Sequence, residues 1–271
     1  MTDTSTRMPI VIAHRGMSAL APENTIAAFA MCADYGVSTI EFDVDIMGDG
    51  TLIVIHDDTL DRTTSGTGGY YDKGYADLRR LDAGAWFSPT YRLEPVPELS
   101  SVIELMNAAG IDGNLEIKPC RGGDELRQRL VDSVATIVER SLDSRRQLLI
   151  SSFDVEMLNM MRERAPQIAR ALLVNRDDDD ADEAGGSGIN TLVAGWIEQA
   201  KRLDAVAIHP GNAGLEARHV EAMRDAGLRV NVWTVNDVER AAELSSWGVD
   251  AVFTDRAHEF PETVRRRRLA L

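Results

Sequence analysis

Cysteine is scarce in this chain: Cys32 and Cys120 are the only two among 271 residues. Two thiols cannot form a disulfide framework, and their separation does not suit a metal-binding cysteine pair. Long apolar runs are missing as well. No stretch approaches the roughly 18 consecutive apolar residues of a membrane-spanning helix, and the opening Met-Thr-Asp-Thr-Ser-Thr-Arg has no signal-peptide pattern. A soluble, cytoplasmic protein is the expectation. Basic charge is in deficit, with 29 Lys plus Arg against 44 Asp plus Glu and a net charge of −15. Nucleic-acid binding rests on the opposite excess, so no nucleic-acid partner is expected. A divalent cation held by a few carboxylates would still reverse the field locally, so anionic substrates stay open. With only 21 Gly and 9 Pro against 44% apolar residues, fibrous and disordered classes are excluded.

What is present is an alternation of short apolar runs with helical patterns. Candidate strands lie at 10–14, 39–46, 114–118, 147–153, 169–174, 205–209, 229–234 and 250–254. Between them fall helical stretches such as 25–35, with Ile26, Phe29, Ala30 and Ala33 on one face, and 217–226. Gly36, Gly110, Gly227 and Gly248 each follow such a stretch as helix stops. Strand–helix alternation implies parallel βαβ units, and eight of them imply an α/β chain closed as a TIM (β/α)8 barrel. An open doubly wound sheet is the alternative, but its G-x-G-x-x-G fingerprint is missing after the first strand. The expected organisation is one barrel domain over 8–264, with tails at 1–7 and 265–271.

A ninth run, 52–56, breaks the alternation, because only Gly48-Asp49-Gly50 separates it from the second strand. Asp-Gly between alternating runs signals a hairpin. With Asp49-Gly50 at the turn centre, His56 would face Asp43 across the strands, and a different loop length would shift that register. The alternation then pauses from Asp57 to Glu98, a stretch rich in Gly, Tyr and charge. A small insertion after the second-strand hairpin, at about 57–98, is expected to cover the substrate.

Barrel active sites sit where strands end. The strand ends here carry His14-Arg15, Glu41 and Asp43, His56, Glu116 and Lys118, and Trp233. Glu41, Asp43 and Asp45 share one face of their strand, with Ile40, Phe42, Val44 and Ile46 on the other. So many inward ionisable groups are costly unless paired or bound to a metal. Glu41, Asp43 and Glu116 make an oxygen-rich set suited to one divalent cation, Mg²⁺ or Ca²⁺. With Arg15 and Lys118 for a phosphate, and His14 and His56 for general acid and base work, the set fits metal-assisted hydrolysis of a phosphate ester. Any one of these residues alone could be a solvated or packed strand-end group.

Longer motifs contain these residues: His14-Arg15-Gly16, Pro22-Glu23-Asn24-Thr25, Glu41-Phe42-Asp43-Val44, Asp49-Gly50, His56-Asp57, Leu60, Arg62-Thr63-Thr64, Gly66 and Gly68. Further along come Pro97-Glu98-Leu99, Leu115-Glu116-Ile117-Lys118, Ser151-Ser152-Phe153, Trp233-Thr234-Val235-Asn236 and Thr254-Asp255. In order and spacing, from about residue 10 to 256, the chain resembles the glycerophosphodiester phosphodiesterase family, and within it the short cytoplasmic bacterial type. The resemblance implies a TIM barrel with a small insertion. It also implies hydrolysis of glycerophosphodiesters to sn-glycerol 3-phosphate and an alcohol such as choline or ethanolamine. By motif position, His14 and His56 would be the acid–base pair, and Glu41, Asp43 and Glu116 the metal ligands. Arg15 and Lys118 would meet the phosphate, and Trp233 would form an apolar wall, a packed barrel-top Trp being its other reading. The implied nucleophile is the neighbouring glycerol hydroxyl, giving a cyclic phosphate. Direct attack by a metal-activated water is the other route. Two other activities stay open: a lysophospholipase D acting on lysophospholipids, and a non-catalytic phosphodiester-binding barrel. Oligomeric state is not legible.

Three features stand outside that pattern. The acidic run at 177–183 reads as a solvated loop, since Glu183 stands where an EF-hand needs Gly and Ile189 where it needs Glu. The four arginines at 265–268 read as the close of a helix, complementing its dipole. His209, His219 and His258 lack motif partners, although His209 ends a barrel strand.

Overall fold

The computed structural model describes residues 8–175 and 188–269, so the acidic run at 177–183 lies outside the described residues. Its strands are β1 (Ile10–Ala13), β2 (Thr39–Ile46), β3 (Leu52–Val54), β4 (Asp112–Ile117), β5 (Leu148–Ser152), β6 (Ala169–Val174), β7 (Ala207–Pro210), β8 (Arg229–Val232) and β9 (Ala251–Thr254). The helices are α1 (Ile26–Asp34), α2 (Tyr75–Leu78), α3 (Leu99–Ala109), α4 (Asp124–Ser141), α5 (Val155–Arg164), α6 (Gly188–Arg202), α7 (Ala217–Asp225), α8 (Val238–Ser246) and α9 (Glu262–Arg265). Because β1 pairs in parallel with both β2 and β9, all strands except β3 close into an eight-stranded parallel barrel. This is the (β/α)8 barrel that the alternation predicts.

Alternation within β2 dictates how the wall is built. Ile40, Phe42, Val44 and Ile46 join the apolar layer between barrel and helices, which also holds Phe29, Val102, Leu115 and Ile117. Glu41, Asp43 and Asp45 therefore point to the other side, and all eight residues of β2 are buried. β4 runs beside β2 with Asp43 level with Glu116 and Val44 level with Ile117. This register is what brings carboxylates of two strands together.

The hairpin forms one step out of the expected register. Val44 pairs with Val54, Asp45 with Ile53 and Ile46 with Leu52, and the Ile55 N–H donates to the Asp43 carbonyl. Three residues, Gly48-Asp49-Gly50, make the loop rather than two, with Gly50 in the left-handed region at φ 96°. His56 thus lies past the end of β3 instead of opposite Asp43. The buried face of α1 also differs: Ala28, Phe29 and Cys32 are inside, while Ala30 and Ala33 face solvent.

The insertion after β3 has its own apolar cluster, in which Leu60, Tyr70, Leu78, Ala83 and Val96 pack on Met47, Ile53 and Ile55 of the hairpin. Asp45 ties it down: the Tyr70 and Tyr71 hydroxyls donate to one carboxylate oxygen at 2.8 and 2.6 Å. Burial pushes the Asp45 carboxyl up to about 6, despite these hydrogen bonds. Of the four terminal arginines, only Arg265 lies within α9. Arg267 donates to the Met8 carbonyl, and Arg268 to Asp112 at 2.9 Å and to the Gly110 carbonyl at 2.7 Å. They fasten the chain's end to the base of the barrel more than they neutralise a helix terminus.

His209 of β7 is fully buried, with Nε2 3.0 Å from Asn231 Nδ2 and its ring 5.0 Å from that of Phe253. Burial holds its pKa down to about 3, so the folded chain keeps a neutral imidazole where the unfolded chain titrates near 6.5. The associated stability is complete above pH ~6.5 and is lost as pH falls from there towards 3. Urea unfolding between pH 7 and pH 4.5 should show stability declining less steeply in His209→Gln than in wild type, by up to about 1.4 kcal/mol per pH unit. Parallel declines would place the acid sensitivity elsewhere.

Candidate active site

A parallel barrel delivers the C-terminal ends of its strands to one rim. After β1 the chain turns sharply at Arg15 and Gly16, whose φ angles are 55° and 82°. A Cβ on Gly16 would sit 2.9 Å from the Ala28 backbone, so only glycine allows the loop to lie this close to α1. The turn points the Arg15 N–H at Glu41 Oε2, 2.8 Å away. Asn24, also left-handed at φ 56°, donates through Nδ2 to Asp43 Oδ2 at 2.8 Å.

Glu41, Asp43 and Glu116 each offer a carboxylate oxygen, and these oxygens lie within 4.8 Å of one another. All three residues are buried. Burial, with the negative neighbours Asp43 and Glu116, lifts the Glu41 pKa well above the usual carboxylate range. Glu116 is likewise raised by burial and by Asp43, although Lys118 opposes the shift. Asp43 moves down instead, because Lys118 and Arg15 outweigh its burial. Lys118 Nζ stands 2.9 Å from Glu116 and 3.6 Å from Asp43, and Arg15 Nε is 3.4 Å from Asp43.

Each histidine on the rim is oriented by its own carboxylate. His14 Nδ1 lies 2.7 Å from Asp255 Oδ1, and Asp255 also accepts from Ser18 and Asn236. Burial works against ionisation of Asp255, but the hydrogen bond and charge of His14 bring it down to about 2. His56 Nδ1 lies 2.7 Å from Asp57 Oδ1. Hydrogen bonds from Arg62 hold the Asp57 carboxyl far below its ordinary value. With Nδ1 engaged in both rings, Nε2 is the nitrogen left for chemistry. Burial lowers the His56 pKa, with Arg15 and Lys118 adding to the shift and Asp43 opposing it.

His14, Arg15, Glu41, His56, Glu116 and Trp233 line one cavity, together with Asn114, Ser151, Phe153, Leu173 and Phe253. Asp43 and Lys118 stand behind this lining, joined to it through Arg15 and Glu116. Trp233 is braced by its Nε1 donating to the His209 carbonyl at 2.8 Å and by edge contact with Phe153 at 5.5 Å. All eight site residues expected from the sequence thus belong to one constellation. Asp45 does not join it, being taken up by the tyrosines. Residue-by-residue reading gave no role to Asp57, Asp255, Glu23, Asn24 or Arg62, which hold the named groups in place. The adjacency of His56 and Asp57 was a usable signal; the reach of Asp255 to His14 depends on barrel closure.

The donor set suits a hard divalent cation: oxygen ligands only, clustered and buried, and in two of the three cases protonated too readily for an unassisted carboxylate. No sulfur or imidazole belongs to the cluster, which argues against a thiolate-seeking metal.

Comparison with known proteins agrees with this geometry. The model of the glycerophosphoryl diester phosphodiesterase family matches residues 14–259. A glycerophosphodiester phosphodiesterase of Caldanaerobacter subterraneus subsp. tengcongensis is 34% identical over 258 residues, covering 95% of this chain and 98% of that protein. Among solved structures, an Oleispira antarctica phosphodiesterase in complex with the product sn-glycerol-3-phosphate superposes with a TM-score of 0.82 at 33% identity, covering 95% of this chain and 96% of that one. A solved structure from Silicibacter pomeroyi gives a TM-score of 0.78 at 26% identity, covering 92% of this chain and 90% of that one.

In chelator-treated protein, Mg²⁺ or Ca²⁺ should raise the melting temperature, a ligand at 100 times its Kd being worth about 2.7 kcal/mol. Glu41→Gln should lose most of that response yet be no less stable than wild type in EDTA, since it removes one of three crowded charges. A variant that is weaker in EDTA and keeps the full ion response would contradict the cluster as a cation site.

Proposed function

The chain belongs to the glycerophosphoryl diester phosphodiesterase family and is an enzyme of that type; we propose that it hydrolyses glycerophosphodiesters to sn-glycerol 3-phosphate and an alcohol by histidine acid–base catalysis beside a carboxylate-held cation. One observation carries the reading. Two imidazoles, each oriented through Nδ1 by its own carboxylate, open onto the same cavity as Glu41 and Glu116 of the buried carboxylate cluster. A site for binding alone has no use for two oriented proton carriers.

Glu41, Asp43 and Glu116 are the groups that would hold Mg²⁺ or Ca²⁺. When bound, such an ion supplies positive charge against the phosphoryl oxygens. Arg15 lines the cavity and adds charge-assisted hydrogen bonds to the phosphate, while Lys118, behind the lining, adds its positive charge from beside Glu116. His56, kept neutral by burial and by its cationic neighbours, is suited to take a proton from the attacking hydroxyl. His14, paired with Asp255, is placed to give a proton to the departing alcohol. Trp233 and Phe153 bound the cavity on its apolar side. The nucleophile is the glycerol hydroxyl next to the phosphate: its attack expels the alcohol and leaves a cyclic phosphate, and water then opens that ring to sn-glycerol 3-phosphate. A substrate lacking the hydroxyl should turn over far more slowly.

In this reading residues 8–264 act as one catalytic domain, with the insertion at about 57–98 forming part of the rim. The substrate is a small molecule, and nucleic acid has no part. Among the described residues no helix is long and apolar enough to cross a membrane.

The direct test measures release of glycerol 3-phosphate from glycerophosphocholine, in EDTA and with each metal restored. Turnover should require the ion, and His14→Ala and His56→Ala should each lower kcat by about 10²–10⁴ while remaining folded. Undiminished activity in either variant overturns the assignment of that histidine. Faster turnover of lysophosphatidylcholine would move the substrate to the lysophospholipids.

A further inference from the structure

We infer that Arg62 is a positioning residue: a single guanidinium, brought in by the insertion, that fixes both His56 and Arg15. The inference rests on the phosphodiesterase reading above for its kinetic arm. Arg62 makes two forked pairs at once. Nε and Nη2 donate to Asp57 Oδ2 and Oδ1 at 2.6 and 2.8 Å. Nη1 and Nη2 donate to Glu23 Oε2 and Oε1, both at 2.8 Å. Each carboxylate then passes the constraint inward. Asp57 Oδ1 lies 2.7 Å from His56 Nδ1, and Glu23 Oε1 accepts from Arg15 Nη1 at 2.8 Å.

Exposed ion pairs contribute little, and Arg62 is itself 45% exposed, so position along the chain of contacts matters more than strength. Arg62 does not line the cavity, whereas His56 and Arg15 both do. It therefore acts through other groups. Its removal would leave the Glu23 and Asp57 carboxylates without the cation that holds them together. Glu23 would draw more fully on Arg15, which is then less available to a phosphate, and Asp57 would be free to release the His56 ring. Lysine cannot replace the arrangement, because one ammonium does not span two carboxylates with paired parallel donors.

Arg62→Ala, Arg62→Lys, Asp57→Asn and the Arg62→Ala/Asp57→Asn double variant of the full chain test this in saturating metal. Arg62→Ala should lower kcat by about 30–100-fold, the scale on which small misplacements of reacting groups act. Arg62→Lys should recover less than tenfold of that loss. The double variant should be little slower than the slower single one, since both break the same hold on His56. An arm independent of turnover follows the histidine ring nitrogens by ¹H–¹⁵N NMR. Wild type should show one fixed Nδ1–H tautomer for His56, assigned by its loss in His56→Asn, and Arg62→Ala should show averaging. If wild type turns over no glycerophosphodiester, the functional reading fails while the NMR arm still decides the role of Arg62. Arg62→Ala kcat within twofold of wild type, multiplying losses, full rescue by lysine, or an unchanged His56 tautomer would each overturn the inference. If Arg62→Ala does not fold, Arg62→Lys and Arg62→Gln carry the same comparisons.

Discussion

Crowding of negative charge is the constraint from which the rim of this barrel follows. Three buried carboxylates offer oxygens within 4.8 Å of one another. Two like charges at 4 Å repel by roughly 4 kcal/mol even at an effective dielectric near 20. The fold compensates with the Arg15 N–H on Glu41, the Asn24 amide on Asp43, and the Arg15 and Lys118 side chains beside Asp43 and Glu116. Two of these residues, Arg15 and Asn24, occupy left-handed backbone that non-glycine residues seldom adopt. Such conformations cost of order 1–3 kcal/mol each and persist where surroundings over-determine them. Here the hydrogen bonds they deliver to the buried Glu41 and Asp43 supply that determination. The shape of the β1–α1 loop is thus a consequence of the charges it serves.

The same logic separates residues that the sequence makes look alike. Glu41, Asp43 and Asp45 lie on one face of one strand at equal spacing. Asp45 stands nearest the hairpin turn, where the insertion rather than β4 supplies its neighbours. Two tyrosine hydroxyls meet it there, and among the described residues no guanidinium or ammonium forms an ion pair with it. Environment turns one carboxylate into a fastening for the insertion and its neighbour into part of the cluster. That fastening bears on the site, because the insertion also carries Arg62, whose two carboxylate partners reach His56 and Arg15. The segment thus braces the rim through Arg62.

Periodicity made most of the architecture legible. Runs of alternating type located all eight barrel strands, and β2 and β6 within their observed limits. The ends of the others moved by a residue or two, as hydrogen bonding to a neighbour decides where pairing stops and composition does not. The hairpin register differs by one from the pattern's expectation because Gly48-Asp49-Gly50 supports either a two- or a three-residue loop, and only backbone geometry selects. The face of α1 was misjudged because alanine, present on both sides of that helix, carries little burial signal. Of the site, residues at strand ends were readable because every barrel presents those positions together. Glu23 was not, since the path of a loop sets its partners, and although Asp255 directly follows β9, its reach to His14 depends on closure of β9 onto β1. Neither has a local sequence period.

Net charge is a poor guide to such a site because it averages over distances at which salt screens. At physiological ionic strength the Debye length is about 8 Å, so most of the carboxylates behind the total of −15 are invisible from the cavity. What a phosphodiester meets there is set by five groups: Glu41, Asp43 and Glu116 against Arg15 and Lys118. With all ionised, that set carries one surplus negative charge and would resist an anion. A divalent cation among the carboxylates changes the surplus to one positive charge, matching a singly charged diester. The raised pKa values of Glu41 and Glu116 express the same imbalance from the protein's side, since without a cation the cluster relaxes by taking up protons. Affinity for such an ion and tolerance of an anionic substrate would therefore have one origin, the placement of three carboxylates by the register of β2 on β4.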